Sequence, residues 1–225
     1  MTEVIEQSIN TGAAYAERLL GHNQFYKYLK NFGLNEKTGI DLPGEVPGNL
    51  RNLERKAEDI NFATASYGQG ISVTPIELLT AFSAVANEGK RMEPHVVAAV
   101  QTPDGDQIVI HPKVLSTPIS SKTAKIMTEM MVNAVDKGEA KWARPKGFKI
   151  AGKTGTAQIP VAGHYDPNKT IASFVGFAPA DDPTFVMLVR YDQPTSSIYG
   201  SETAAPTFFA IAKELFPYFK VPPTE

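Results

Sequence analysis

An amine and two hydroxyls stand close together in Ile150-Ala151-Gly152-Lys153-Thr154-Gly155-Thr156-Ala157-Gln158. Side chains alternate between the faces of a strand, so Thr154 and Thr156 share one face and Lys153 starts from the other. Gly152 and Gly155 carry no side chain, which lets a backbone or a ligand come close. A cation and two hydroxyl donors at one strand end suit a substrate with a carboxylate. Taken alone, the stretch is equally readable as an ordinary strand ending in small residues.

A rival chemistry is formally present. Residues Gly147 to Thr154 fit the phosphate-loop spacing G-x-x-x-x-G-K-[ST], which would make the chain a nucleotide-binding protein. That loop requires a hydrophobic strand before its first glycine and a helix opening at the lysine. Here Lys141-Trp142-Ala143-Arg144-Pro145-Lys146 precedes Gly147, no helical run follows Thr154, and Phe148-Lys149-Ile150-Ala151 alternates as a strand. The context therefore favours a strand over a phosphate cradle.

The elements around this stretch follow from periodicity and punctuation. Val4, Ile5, Ile9, Ala13, Ala16 and Leu20 recur at helical spacing, which predicts one opening helix closed by Gly21, with Ser8 and Asn10 inside it. A second helix is expected from Gln24 to Phe32, a turn over Gly39 to Glu45, and a polar surface loop from Pro47 to Glu58. Thr74-Pro75-Ile76-Glu77 is a capping box with Pro at the first helical position, and Leu78, Leu79, Phe82, Val85 and Ala86 form the stripe behind it. His95 to Gln101 and Gln107 to His111 predict a hairpin, and Ser120 or Ser121 caps a helix carrying a methionine cluster. Pro160 and Gly163 are expected to end the central strand. The short Pro179 to Pro183 link predicts that 170–178 and 184–192 pair antiparallel. Thr203 is expected to cap a last helix, with Phe209, Ala212, Leu215 and Phe216 inward and Pro217 as its stop. The plan is α/β of the α+β kind: a mainly helical part over 1–140, then sheet strands and a closing helix over 141–225.

Composition narrows the chemistry. The chain has 225 residues, with 22 Lys and Arg against 24 Asp and Glu, so nothing points to nucleic acid. With no cysteine, thiol catalysis, disulfides and thiolate metal sites are excluded. His22, His95, His111 and His164 lack metal-ligand spacing, and neither a metal nor a cofactor is expected. No apolar run approaches the roughly 18 residues of a membrane span.

Ser8-Ile9-Asn10, followed far downstream by Lys153-Thr154-Gly155-Thr156, resembles the S-x-N and K-T-G signatures of serine transpeptidases and serine β-lactamases. Other stretches narrow the resemblance to class B penicillin-binding proteins of the division or sporulation type. They are Gly39-Ile40-Asp41-Leu42-Pro43-Gly44-Glu45, Ser66-Tyr67-Gly68-Gln69-Gly70 leading to Val73-Thr74-Pro75, the run from Ile171 to Pro179, and Tyr199-Gly200 before Ala204-Ala205-Pro206. The family's nucleophile lies in S-x-x-K upstream of S-x-N, yet no Ser or Thr here is followed by Lys three positions on. The resemblance is thus to the second part of a transpeptidase domain, with the N-terminal part absent, so residues 1–225 are expected to be inactive alone.

The resemblance implies an antiparallel sheet flanked by helices, with a helical subdomain. Its activity would be D,D-transpeptidation of peptidoglycan peptide stems ending in D-Ala-D-Ala through a serine acyl-enzyme, with β-lactams as mimics. Ser8 would relay a proton, Asn10 would bond the substrate amide, and Lys153 would supply a positive field. Thr154 and Thr156 would hold the terminal carboxylate beside Gly155, with the Thr156 N–H in the oxyanion hole and Tyr67 at the substrate. The parent protein would be membrane-anchored on the extracytoplasmic face within a cell-wall synthesis complex. A non-catalytic penicillin-recognising sensor or binding module is the other reading of the same residues.

Overall fold

The computed structural model describes residues 1–54, 56–161 and 164–224. Its centre is one antiparallel sheet of β5 (Ala151–Val161), β6 (His164–Ala178) and β7 (Phe185–Asp192) in the order β5-β6-β7. Register runs from Ala151 opposite Phe177 to Gln158 opposite Thr170, and from Ile171 opposite Asp192 to Ala178 opposite Phe185. The antiparallel pairing expected across the short 179–183 link is therefore what forms.

Helices sandwich the sheet. On one side α7 (Ala204–Tyr218) lays Phe208, Phe209, Ala212 and Phe216 against Phe174, Ile150 and Ala178. Phe174 meets the rings of Phe208 and Phe209 at 4.7 and 5.2 Å between centroids, and Phe148 stacks on Phe216 at 3.8 Å. On the other side α6 (Ser121–Lys137) and α5 (Pro75–Ala86) enclose Met131, Val132, Ala151 and Phe177, with Phe82, Val85 and Val186 partly buried beside them. This sheet-centred core fixes where β5 can lie, and hence where Lys153 and Thr156 sit.

Local signals work where both partners are close in sequence. Thr74 Oγ1 accepts from the Glu77 N–H, and the Glu77 carboxylate accepts from the Thr74 N–H at 2.6 Å. The Ser120 side chain caps α6 by accepting from the Thr123 N–H. Ahead of α6, β1 (Arg91–Met92) pairs with β4 (Val114–Ser116), and β2 (Ala99–Gln101) pairs with β3 (Gln107–Val109) as the expected hairpin.

Four expectations are overturned. The opening segment is two helices, α1 (Thr2–Glu6) and α2 (Asn10–Leu20), because the chain breaks at Ser8, whose φ is +54°. β5 continues through Pro160, which pairs with Tyr165; β5 is an edge strand, where a missing N–H is tolerated. The other expected stop, Gly163, lies outside the described residues. Thr203 makes no side-chain cap, since its hydroxyl donates to Tyr199 O, and α7 runs one residue past Pro217. The polar 47–58 loop is pinned by two buried leucines, Leu50 and Leu53, the latter on a 3-10 turn.

The remaining helices form the lighter part of the molecule. α3 (His22–Asn31) packs behind α2, and α4 (Asp59–Ala65) leads into the Ser66 to Gly70 loop. No helix among the described residues is long and apolar enough to cross a membrane.

Candidate active site at the end of strand β5

Lys153 reaches round the edge of β5 instead of extending from its own face. Its Nζ donates to Ser8 Oγ at 2.5 Å, to Thr154 Oγ1 at 3.0 Å and to Thr154 O at 3.1 Å. An ammonium has three protons, and all three are taken. Burial pushes the Lys153 amine below the ordinary lysine value, opposed by the nearby charge of Glu139. A lysine that gives up its proton more readily than usual is suited to passing protons to a hydroxyl neighbour.

Ser8 sits at the break between α1 and α2, in the left-handed region that non-glycine residues enter at a cost of about 1–3 kcal/mol. That conformation turns its hydroxyl toward residue 153, 145 positions away in sequence. Because Ser8 Oγ accepts from Lys153, its own proton is free to face outward. Asn10, the first residue of α2, is exposed and has no side-chain hydrogen bond among the described residues.

The hydroxyl pair is arranged alike. Thr154 Oγ1 accepts from Lys153, and Thr156 Oγ1 accepts from the Gly200 N–H at 3.1 Å. The glycines beside them are needed for packing: a Cβ on Gly155 would stand 2.6 Å from Ser173 Oγ, and one on Gly152 would stand 2.5 Å from the Phe174 ring. The phosphate-loop reading fails on this geometry. Gly152, Lys153 and Thr154 are extended and paired with Gly176, Val175 and Phe174, so they form no cradle, and no helix opens at Lys153.

A cleft of about 800 Å³ opens beside the strand end, lined by Gly155, Thr156, Tyr67, Tyr165, Ser173 and the 68–75 loop among others. Tyr67 is thereby brought to Gly155 and Thr156 as expected, across the width of the cleft. Ser8, Lys153 and Thr154 lie outside that lining. Apart from Asn10, the predicted site residues therefore form two adjoining groups, Ser8 with Lys153 and Thr154, and the cleft-lining Tyr67, Gly155 and Thr156, joined through Thr154-Gly155-Thr156.

Sequence reasoning missed three contributors. Tyr165 OH accepts from the Gly70 N–H at 3.0 Å, tying the β5-β6 arm across the cleft. The Asn52 amide holds Gly70 from the other side by donating to its carbonyl at 2.6 Å. Gly200, seen in the sequence only beside Tyr199, supports Thr156. No local pattern marks these contacts, which span 95, 18 and 44 positions.

The chain is an α+β domain in which a helix-flanked antiparallel sheet carries Lys-Thr-Gly-Thr on an edge strand and a serine from a helix break meets the lysine. Residues 1–213 match the penicillin binding protein transpeptidase domain, and the chain belongs to that family. Among proteins similar to it, stage V sporulation protein D of Bacillus subtilis is 38% identical over 98% of this chain and 34% of its own length. PbpB of Mycolicibacterium smegmatis is 33% identical over 98% of this chain and 36% of its own length. Penicillin-binding protein 3 of Mycobacterium tuberculosis, solved in complex with ampicillin, superposes with a TM-score of 0.91 at 31% identity, over 99% of this chain and 52% of that one. The chain thus spans about a third of the curated relatives it matches and about half of that solved neighbour.

Proposed function

We propose that this chain carries the strand-end half of a peptidoglycan D,D-transpeptidase site and takes part in acyl transfer on peptide stems ending in D-Ala-D-Ala. The observation that carries the reading is the hydrogen bond from Lys153 to Ser8, on the strand that also holds Thr154 and Thr156. The acylated serine, on this reading, comes from an S-x-x-K segment outside these 225 residues. Its attack on the penultimate peptide carbonyl breaks the bond to the terminal D-alanine.

Each residue then has a task that fits its hydrogen bonds. Thr154 and Thr156, whose acceptor sides are occupied by N–H donors, turn their hydroxyl protons toward the substrate carboxylate. Ser8 gives its outward proton to the leaving amine and is reprotonated by Lys153. The amine of a second peptide stem later attacks the acyl carbonyl and loses its proton along the reverse path. Asn10 bonds the substrate amide, the Thr156 N–H is one oxyanion donor, and Tyr67 walls the cleft. β-lactams, whose carboxylate and strained amide imitate the stem, acylate the same serine. The parent protein would act on the extracytoplasmic side of the membrane, anchored by a segment outside this chain, within a cell-wall synthesis complex.

The test uses the complete parent protein. Changing Thr154 and Thr156 together to Val should slow acylation by a fluorescent penicillin at least a hundredfold, the value of two hydrogen bonds to a charged group. The melting temperature should stay nearly unchanged. Equal labelling of parent and double variant would sink the assignment.

A further inference from the structure

The loop from Gln193 to Thr203 joins β7 to α7 and is fastened by hydroxyls along its length. Buried Thr170 donates from Oγ1 to Ile198 O at 2.6 Å, while its own carbonyl accepts from the Gln193 N–H at 2.9 Å. Thr203 Oγ1 donates to Tyr199 O at 2.7 Å, and Ser197 Oγ donates to a Glu202 carboxylate oxygen at 2.6 Å. This frame presses Gly200 against the reactive strand. Its N–H donates to Thr156 Oγ1 at 3.1 Å, and its carbonyl accepts from the Ala205 N–H at the start of α7 at 2.9 Å.

The approach is too close for any other residue. A Cβ on Gly200 would stand 2.4 Å from Gly155 O and 2.5 Å from Ser173 O. Both are sheet backbone atoms and cannot rotate aside. Threonine is stiff at χ1, and an N–H on one lone pair of its oxygen limits where the proton can point. Among the described residues the Thr156 hydroxyl donates to no protein acceptor, and Thr156 is exposed. Thr154 repeats the pattern, with the Lys153 ammonium as its donor. A cleft-facing hydroxyl at Thr156 that accepts from the protein and keeps its own proton for the cleft suits an anion rather than a neutral amide.

We propose that Gly200 is a positioning residue, whose N–H holds the Thr156 hydroxyl as a donor aimed at the substrate carboxylate. The inference rests on the carboxylate reading of the strand end given above. It gives the β7-α7 loop a part in substrate selection although the loop itself handles no protons.

The experiment is a double-mutant cycle on the complete parent protein, read as the second-order rate of acylation by a fluorescent penicillin. Thr156→Val alone should slow labelling roughly tenfold or more. Gly200→Ala alone should slow it to a similar degree, and the two together should be no slower than Thr156→Val alone, because Gly200 acts through a hydroxyl already gone. Thr156→Ser, which keeps the hydroxyl, should restore both labelling and sensitivity to Gly200→Ala. If Gly200→Ala does not fold, Thr203→Val loosens the same loop without a clash. It should give a smaller loss that again vanishes beside Thr156→Val. Multiplicative losses, or Gly200→Ala labelling like the parent, overturn the inference while leaving the carboxylate reading intact. Thr156→Val labelling like the parent overturns both.

Discussion

The sheet half and the helical half of this molecule are held together by different physics. Phe174, Phe177, Phe208, Phe209, Phe216 and Ile150 are all fully buried, so each face of the sheet has its own apolar core beneath a covering layer. In the helical half α1 and α3 bury no residue completely, and α2 buries only Glu17, while Tyr15, Leu19 and Ile60 lie exposed. A small apolar cluster of Leu53, Phe62 and Ala65, with Phe25, Tyr26 and Leu29 packed on it, joins α3 to α4, and polar clasps add to it. The His22 ring stacks on Phe62 and bridges Glu17 at 2.7 Å and Asp59 at 3.1 Å, which ties α2 and α3 to α4. Farther along, buried Arg91 pairs with Glu36 and donates to Ser116.

The candidate site draws members from both halves. Lys153, Thr154 and Thr156 stand on a strand that the core cannot let move, whereas Ser8 sits between α1 and α2, which bury no apolar residue completely. Elements with few buried contacts open locally at low free energy. The stiff half therefore sets the geometry, and the light half can adapt.

The largest expected effect separates the halves by truncation. Phe208→Ala should cost about 3–5 kcal/mol in denaturant unfolding, the range for a buried aromatic. Leu19→Ala on α2 should fall within about 0.5 kcal/mol, as exposed positions do. If Leu19→Ala cost as much as Phe208→Ala, α2 would be packed as tightly as the sheet and the contrast would collapse.

An intermediate effect is expected where the halves meet. The buried Glu77 carboxylate accepts from the Gly48 N–H at 2.7 Å and the Thr74 N–H at 2.6 Å, fastening the 47–58 loop to α5. Glu77→Ala leaves both donors unpaired and should cost about 2 kcal/mol or more. Glu77→Gln, which retains an acceptor oxygen, should recover part of that. Unfolding free energies identical to the parent in both variants would show that the loop is held by Leu50 and Leu53 alone.

The smallest effect concerns pH. Hydrogen bonds to Glu17 first and Asp59 second, reinforced by their charges and opposed by burial, raise the His22 pKa above its ordinary 6.5. Arg18, 4.0 Å from Asp59, is the other charged neighbour. A raised pKa means that the folded state binds the proton more tightly than the unfolded state. The clasp contributes fully below pH 6.5 and is lost as pH rises through the raised folded value. Melting temperature followed from pH 5.5 to 8.5 should fall relative to that of His22→Gln, with amide exchange accelerating in α2 and α4 before the sheet. A difference independent of pH would sharpen the contrast the other way, making the stacking on Phe62 the true joint.

Much of the sheet half was legible in advance because its rules are local. The capping box at Thr74, the Ser120 cap, the 99–109 hairpin and the antiparallel pair after Pro179 each depend on residues a few positions apart. The helical half was less legible. Val4 to Leu20 has the periodicity of one helix, yet the chain turns at Ser8, where a hydroxyl meets Lys153. The 47–58 loop looked merely polar, and burial of Leu50 and Leu53 depends on what folds over them.

By itself the sequence determined the chemistry available: an amine and two hydroxyls on one strand, small residues beside them, no thiol, and a motif order that identifies the family. It also determined the elements whose caps and turns close within a few residues. Tertiary structure alone decided that Lys153 would curl to Ser8, that Gly200 would support Thr156, and that Tyr165 would tie the arm to Gly70. Those contacts join residues 145, 44 and 95 positions apart, and their loop-closure entropy is met only once the core has fixed the strands. A local pattern records what a residue can do; which partner it meets is set by the fold as a whole.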